Sequence, residues 1–150
     1  MSVIQNRSEI LFLYDVTNAN PNGDPVDENK PRIDEETGIN LVSDVRLKRT
    51  IRDYLYDYLG KDIFVREIRD DNGNLKTKEE RLKDFDSSQD LIEKCIDIRL
   101  FGATTAVKDQ TMALTGPIQF KYGRSLHRVD LTYVKGTTVM PSQADRKQGT

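Results

Sequence analysis

Four cations fall close together in one stretch, Arg46, Lys48, Arg49 and Arg52, against two acids, Asp44 and Asp53, so that segment 44–53 carries a net +2. Near the start of a helix such cations are disfavoured by the macrodipole, by roughly 0.3 kcal/mol or more each. A bound anion would explain them, held jointly by free backbone N–H groups and basic side chains. A second cluster, Lys121, Arg124 and Arg128, has no acid within it, and Gly123 gives a ligand close access to the backbone. Arg146 and Lys147 form a third. Acids gather elsewhere, at Asp24, Asp27, Glu28, Asp34, Glu35 and Glu36, then at Asp70, Asp71, Glu79 and Glu80. Segregation of this kind suits a phosphate track along one side of the molecule.

Other chemistries have weaker support. Asp15, Asp24 and Asp34 could gather around Mg²⁺, which prefers oxygen ligands. Their spacing does not require it, and acids in a Pro/Asn-rich loop are ordinarily turn formers. Cys95 lies on an apolar helical stripe and reads as core. His127, between Leu126 and Arg128, reads as a surface or RNA-contacting residue. Segment 23–26 lacks the Lys and the glycine spacing of a phosphate loop. No cofactor is called for.

The whole chain has 150 residues, the size of one domain, with 23 Lys and Arg against 25 Asp and Glu. Its net charge of −2 excludes a uniformly basic binder and leaves room for a segregated one. The longest strongly apolar run, 10–14, falls far short of the roughly 20 residues of a membrane span. A single Cys and the lack of a basic-then-apolar leader fit a cytoplasmic protein with no membrane partner.

Elements must position these residues. Segment 9–17 is apolar on both faces and reads as a central strand. The connection 18–42 is long and rich in Asn, Pro, Gly and acid, which favours an ordered, functional loop. A helix is predicted over 44–59, with Ser43 as N-cap and Gly60 just past its end. Leu47, Ile51, Tyr54, Leu55 and Tyr58 form its core stripe and the cations the remaining surface. A strand over 63–68 leads into a hairpin signal at Asn72-Gly73. A charged insertion occupies about 70–86. A second helix covers 89–98, with Ser88 as cap, and strands follow at 116–120 and 129–134. Strand, helix, strand, helix, strand, strand is the order of an α+β, ferredoxin-like or RNA-recognition-type domain.

Several stretches carry a family resemblance: LYDVTNANPNGDP, PRIDEETGINLVSDVRLKRTIRDYL, IRLFGA, LTGPIQFKYGRSLHRV and RKQGT. In that order they resemble the "Cas-seven" backbone subunit of type I CRISPR surveillance complexes (Cascade), most closely subtype I-B. The resemblance spans nearly the whole chain, taken as one domain over 1–150. It implies an RNA-recognition-type palm with inserted finger and thumb segments, an N-terminal portion of a longer pattern. Such subunits stack head-to-tail along CRISPR guide RNA, a heterologous interface. They leave bases free to pair with target DNA and contact other Cascade subunits. The implied RNA-binding residues are Asn18, Asn20 and Asn22 in the loop, Arg46, Lys48, Arg49 and Arg52 on the helix, Arg124, and Lys147 with Gln148 toward the thumb. The expected role is non-catalytic. The alternative is a Mg²⁺-dependent RNA-cleaving subunit of type III character, with Asp24 or Asp34 as the loop aspartate.

Overall fold

The computed structural model describes residues 5–107 and 110–133. Two short hairpins occupy the long connection. Strands β1 (Gly23–Asp24) and β2 (Lys30–Pro31) pair antiparallel, and β3 (Ile33–Asp34) pairs with β4 (Ile39–Val42). Segment 18–42 is thus ordered, as its restricted backbone predicts. Gly38, at φ +69°, closes the β3–β4 turn by donating its N–H to the Asp34 carbonyl at 2.7 Å. On the far side of β4 lies β7 (Gly123–Arg128), giving a three-stranded sheet in the order β3-β4-β7.

Helix α1 (Asp44–Asp57) follows β4 directly, and the Ser43 hydroxyl caps it by accepting the Arg46 N–H at 3.4 Å. Beyond it, α2 (Lys78–Leu82) opens with a reciprocal Thr77–Glu80 capping box inside the charged insertion. Residues 89–98, expected as one helix, divide into α3 (Ser88–Lys94) and α4 (Ile96–Phe101), with Cys95 extended between them. Ser87, not Ser88, caps α3. Strands β5 (Gly102–Val107) and β6 (Gln110–Thr115) form a hairpin that the sequence pattern did not suggest.

The core lies under α2, α3, α4 and this hairpin. Phe64, Phe85, Leu91, Cys95, Ile98 and Met112 form one buried cluster, with Leu82, Ile92, Ala103 and Leu114 against it. Burial pushes the Cys95 thiol up to about 12, so this cysteine is packing, not a nucleophile. Gly102 has φ +81°, and a Cβ there would overlap the Leu114 carbonyl. The hairpin therefore folds tightly back at the end of α4.

Several expectations are corrected. Segment 9–17 joins no sheet; Ile10 and Leu11 are 88% and 84% exposed. Apolar character on both faces makes a strand only where neighbouring ladders receive it. Residues 63–68 form no strand, although a single Arg69–Leu75 bridge closes the Asn72-Gly73 hairpin. Segment 116–120 is irregular, and the last strand runs over 123–128, earlier than 129–134; Val134 lies outside the described residues. The α1 stripe is half covered: Leu47, Ile51 and Leu55 are half-buried, whereas Tyr54 and Tyr58 stack on each other, exposed. Among the described residues the strands form three separate antiparallel sheets of two or three strands, and no helix is long and apolar enough to cross a membrane. The architecture is mixed α and β.

Fully buried Asp97 ties α1 to this body. Its Oδ1 accepts the Phe64 N–H at 2.8 Å, and its Oδ2 accepts Arg52 Nε at 2.9 Å and the Val65 N–H at 3.2 Å. Asp97→Ala leaves all three donors, one of them charged, without their acceptor. We expect a loss of about 3 kcal/mol or more, read as a lower urea midpoint. Exposed Arg46→Ala should stay within about 0.5 kcal/mol of the parent. Equal midpoints for the two variants would refute the clamp.

Candidate nucleic-acid interface

The cations of α1 divide into two groups. Lys48 Nζ lies 2.9 Å from Asp44 Oδ2, and Arg49 Nη1 lies 3.1 Å from Asp53 Oδ1; both are i,i+4 pairs. Arg49 also donates to the Val65 carbonyl. Arg52 pairs with Asp97, its guanidinium 5.0 Å above the Phe101 ring and its side chain only 12% exposed. Lys48 approaches the same ring at 5.9 Å. These three cations face the body of the chain, and the acids beside them offset the macrodipole penalty without an external anion. The four expected cations therefore do not stand as one unpaired ridge in this structure. Arg52 in particular is an internal ion-pair partner, because Asp97 and Phe101 occupy its head group. Arg46 alone of the four is exposed and makes no ion pair among the described residues.

The loop asparagines build structure. Asn20 Nδ2 donates to the Asn29 carbonyl at 2.6 Å, and its Oδ1 accepts the Asn22 N–H at 3.2 Å. Asn22 is buried and donates from Nδ2 to the Ser43 hydroxyl at 3.3 Å, pinning the loop to the cap of α1. Of the three, Asn18, exposed at φ +51°, has a side chain that makes no hydrogen bond among the described residues.

The loop aspartates are similarly committed. Asp24 accepts the Val26 N–H at 3.1 Å and pairs with Arg32 at 3.4 Å. Asp34 accepts the Glu36 and Thr37 N–H groups and pairs with Arg124 at 3.4 Å. Hydrogen bonding from the Thr37 side chain, then from those N–H groups, holds its carboxyl below the usual aspartate range. Both read as turn formers, as their Asn/Pro setting suggested.

Sheet register assembles what the sequence kept apart. On β7, Arg124 stands opposite Leu41 and Gly123 opposite Val42, the last residues before the α1 cap. Arg124 thus sits at the same end of β4 as Ser43 and Arg46. Arg124, Leu126 and Arg128 alternate along one exposed face of β7. Beside them an open cleft of about 440 Å³ is lined by Lys30, Arg32, Ser43, Tyr122 and Leu131 together with the loop acids. Sequence reasoning passed over Arg32 and Tyr122. Their signals were an Arg after Pro31 and an aromatic between Lys121 and Arg124, the interleaving that single-strand binders use. Lys147 and Gln148, with Arg146, lie outside the described residues.

A family model for CRISPR-associated protein Cas7 matches residues 6–150. The chain belongs to the Cas7 family. It is 34% identical to the CRISPR-associated protein Cas7 of Haloferax volcanii over an alignment of 176 residues, which covers 96% of this chain and 51% of that protein. It therefore spans about half the length of this curated Cas7 relative.

Because hydrogen bonds favour the ionised form of Asp34, its contribution to the β3–β4 turn is present above the ordinary aspartate pKa and is lost as pH falls through the lower folded value. A carboxyl NMR titration should find Asp34 below ordinary aspartates and Asp34→Asn should abolish that resonance. A midpoint at the ordinary value would contradict the turn geometry.

Proposed function

We propose that this chain is part of a non-catalytic backbone subunit that binds CRISPR guide RNA and polymerises along it in a type I complex, of subtype I-B character. Membership of the Cas7 family is the observation that carries the reading. The exposed cations support it, Arg46 and Arg128 without an ion pair among the described residues and Arg124 shared with Asp34. Arg46, Arg124 and Arg128 are exposed, Tyr122 offers a 66% exposed ring next to them, and the N-terminus of α1 adds oriented N–H groups. The track we infer therefore runs past the α1 cap and along β7, with Asn18 on the adjoining loop. Lys48, Arg49 and Arg52 support it from within. Further copies of the chain, other Cascade subunits and target DNA paired to the guide are the partners. We also assign the mixed α and β architecture to the ferredoxin-like palm of such subunits.

Recognition should depend on the RNA backbone, because every copy must accept whatever spacer sequence it meets. Neutralising three phosphates should give a plot of log affinity against log salt a slope of about −2 per subunit. Arg46→Ala with Arg124→Ala should flatten it by about 1 or more, with guide sequence making little difference. An unchanged slope would remove these residues from the track. Mg²⁺-dependent cuts in complementary RNA, absent in EDTA, would overturn the non-catalytic assignment in favour of a type III activity at Asp24 or Asp34.

Glu35 and Glu36 stand exposed on the β3–β4 turn, where they can meet the basic surface of the next copy. Changing both to Lys should weaken self-association along RNA, seen as a smaller assembled species in sedimentation. Undiminished assembly would place the contact between copies elsewhere.

A further inference from the structure

The chain contains two Asn-Gly dipeptides in opposite environments. Asn22-Gly23 is locked: Asn22 is 7% exposed, its side-chain amide donates to the Ser43 hydroxyl, and the Asn29 side chain crowds Gly23 so closely that a Cβ there would overlap it. Asn72-Gly73 is open. Both residues are exposed, Gly73 has φ +85°, and no atom lies within 4 Å of the position a Cβ would take.

We propose that Asn72 is a site of spontaneous deamidation, whereas Asn22 is protected. The Gly73 backbone nitrogen, after losing its proton to solvent base, attacks Cγ of Asn72. A bond forms between that nitrogen and Cγ, the Cγ–Nδ2 bond breaks, and Nδ2 leaves as ammonia. The resulting succinimide is opened by water at either carbonyl, giving aspartate or isoaspartate. Water is the only co-reactant, and nothing is oxidised or reduced. Glycine suits the attacking position because no side chain shields its nitrogen.

In the closed turn the Gly73 N–H donates to the Asp70 carbonyl at 2.9 Å, so the turn must open before the nitrogen can react. That opening is small. The hairpin is held by the isolated Arg69–Leu75 bridge, bonds from Asp70 N to the Asn74 carbonyl and from Lys76 N to the Ile68 carbonyl, and exposed contacts around the Asp70 carboxylate. Exposed hydrogen bonds of this kind open at low free energy. At Asn22 the same reaction requires the loop to leave the α1 cap and the side chain to rotate in a packed site. The products also differ from the parent in charge and backbone. A third carboxylate joins Asp70 and Asp71, and isoaspartate inserts an extra methylene into the chain. Of the bonds to Asp70 Oδ1, at 3.0 Å from Asn72 N and 2.8 Å from Asn74 N, the second spans the inserted methylene.

The test is to incubate the purified full chain at mildly alkaline pH, in native buffer and in concentrated urea. Digestion, peptide mass spectrometry and an isoaspartate-specific methylation assay then follow each site. In native buffer the peptide holding Asn72 should convert about tenfold or more faster than that holding Asn22. In urea the two rates should converge, and native conversion at Asn72 should rise with pH. Asn72→Ser should abolish the native isoaspartate signal. Either of two results overturns the proposal: Asn72 intact in native buffer while it reacts in urea, or Asn22 keeping pace in the folded chain.

Discussion

Three parts of the chain meet at one carboxylate. Asp97, at the start of α4, takes hydrogen bonds from the backbone at 64 and 65 and from Arg52 on α1. A charge without solvent has to be compensated by donors with good geometry. That requirement fixes the face of α1 that meets the core, and the helix presents its basic side there. Phe101 beneath Arg52 and Lys48 reinforces the choice through its ring face. The apolar stripe is consequently only half covered, with Leu47, Ile51 and Leu55 half-buried and Tyr54 and Tyr58 exposed.

The same constraint sorts the cations. Lys48, Arg49 and Arg52 each share their charge with a carboxylate of the chain. The outward ones, on the first turn of α1 and along β7, are exposed, although Arg124 also reaches Asp34. They are brought together by a four-residue strand, β4, whose end is at once the approach to the α1 cap and the partner of Gly123 and Arg124. Asn22 secures the arrangement from the loop side by holding Ser43.

What could be read from the sequence was mainly local. Helix α1, its Ser43 cap and its end near Gly60 follow from signals within a few residues of each other. So do the ordered turns of 18–42, whose Asn and Asp side chains bond to backbone two or three residues away. What was not legible depends on distant partners. Nothing near Arg52 announces an acid 45 positions later. The hairpin β5–β6 is written in Thr and Ala, without the strong alternation that marks a strand. Segment 9–17 shows the converse: a run apolar on both faces with no ladder beside it. Of the site, the basic clusters of α1 and β7 were visible in sequence, but which of their cations pair inside the chain was decided by packing.

The uncovered stretch around Ile10 to Tyr14 has a bearing on behaviour in solution. Its backbone donors and acceptors are unpaired within regular structure, and its side chains are large, uncharged and β-favouring. That composition is the template on which extended chains add to one another in cross-β stacks. Asp15 and Glu9 flank it as charged gatekeepers, which oppose such stacking at both ends by like-charge repulsion. An apolar pentapeptide bordered by two carboxylates is therefore a place where a second extended strand could add to this chain, and the acids at its ends limit how far such an addition can run.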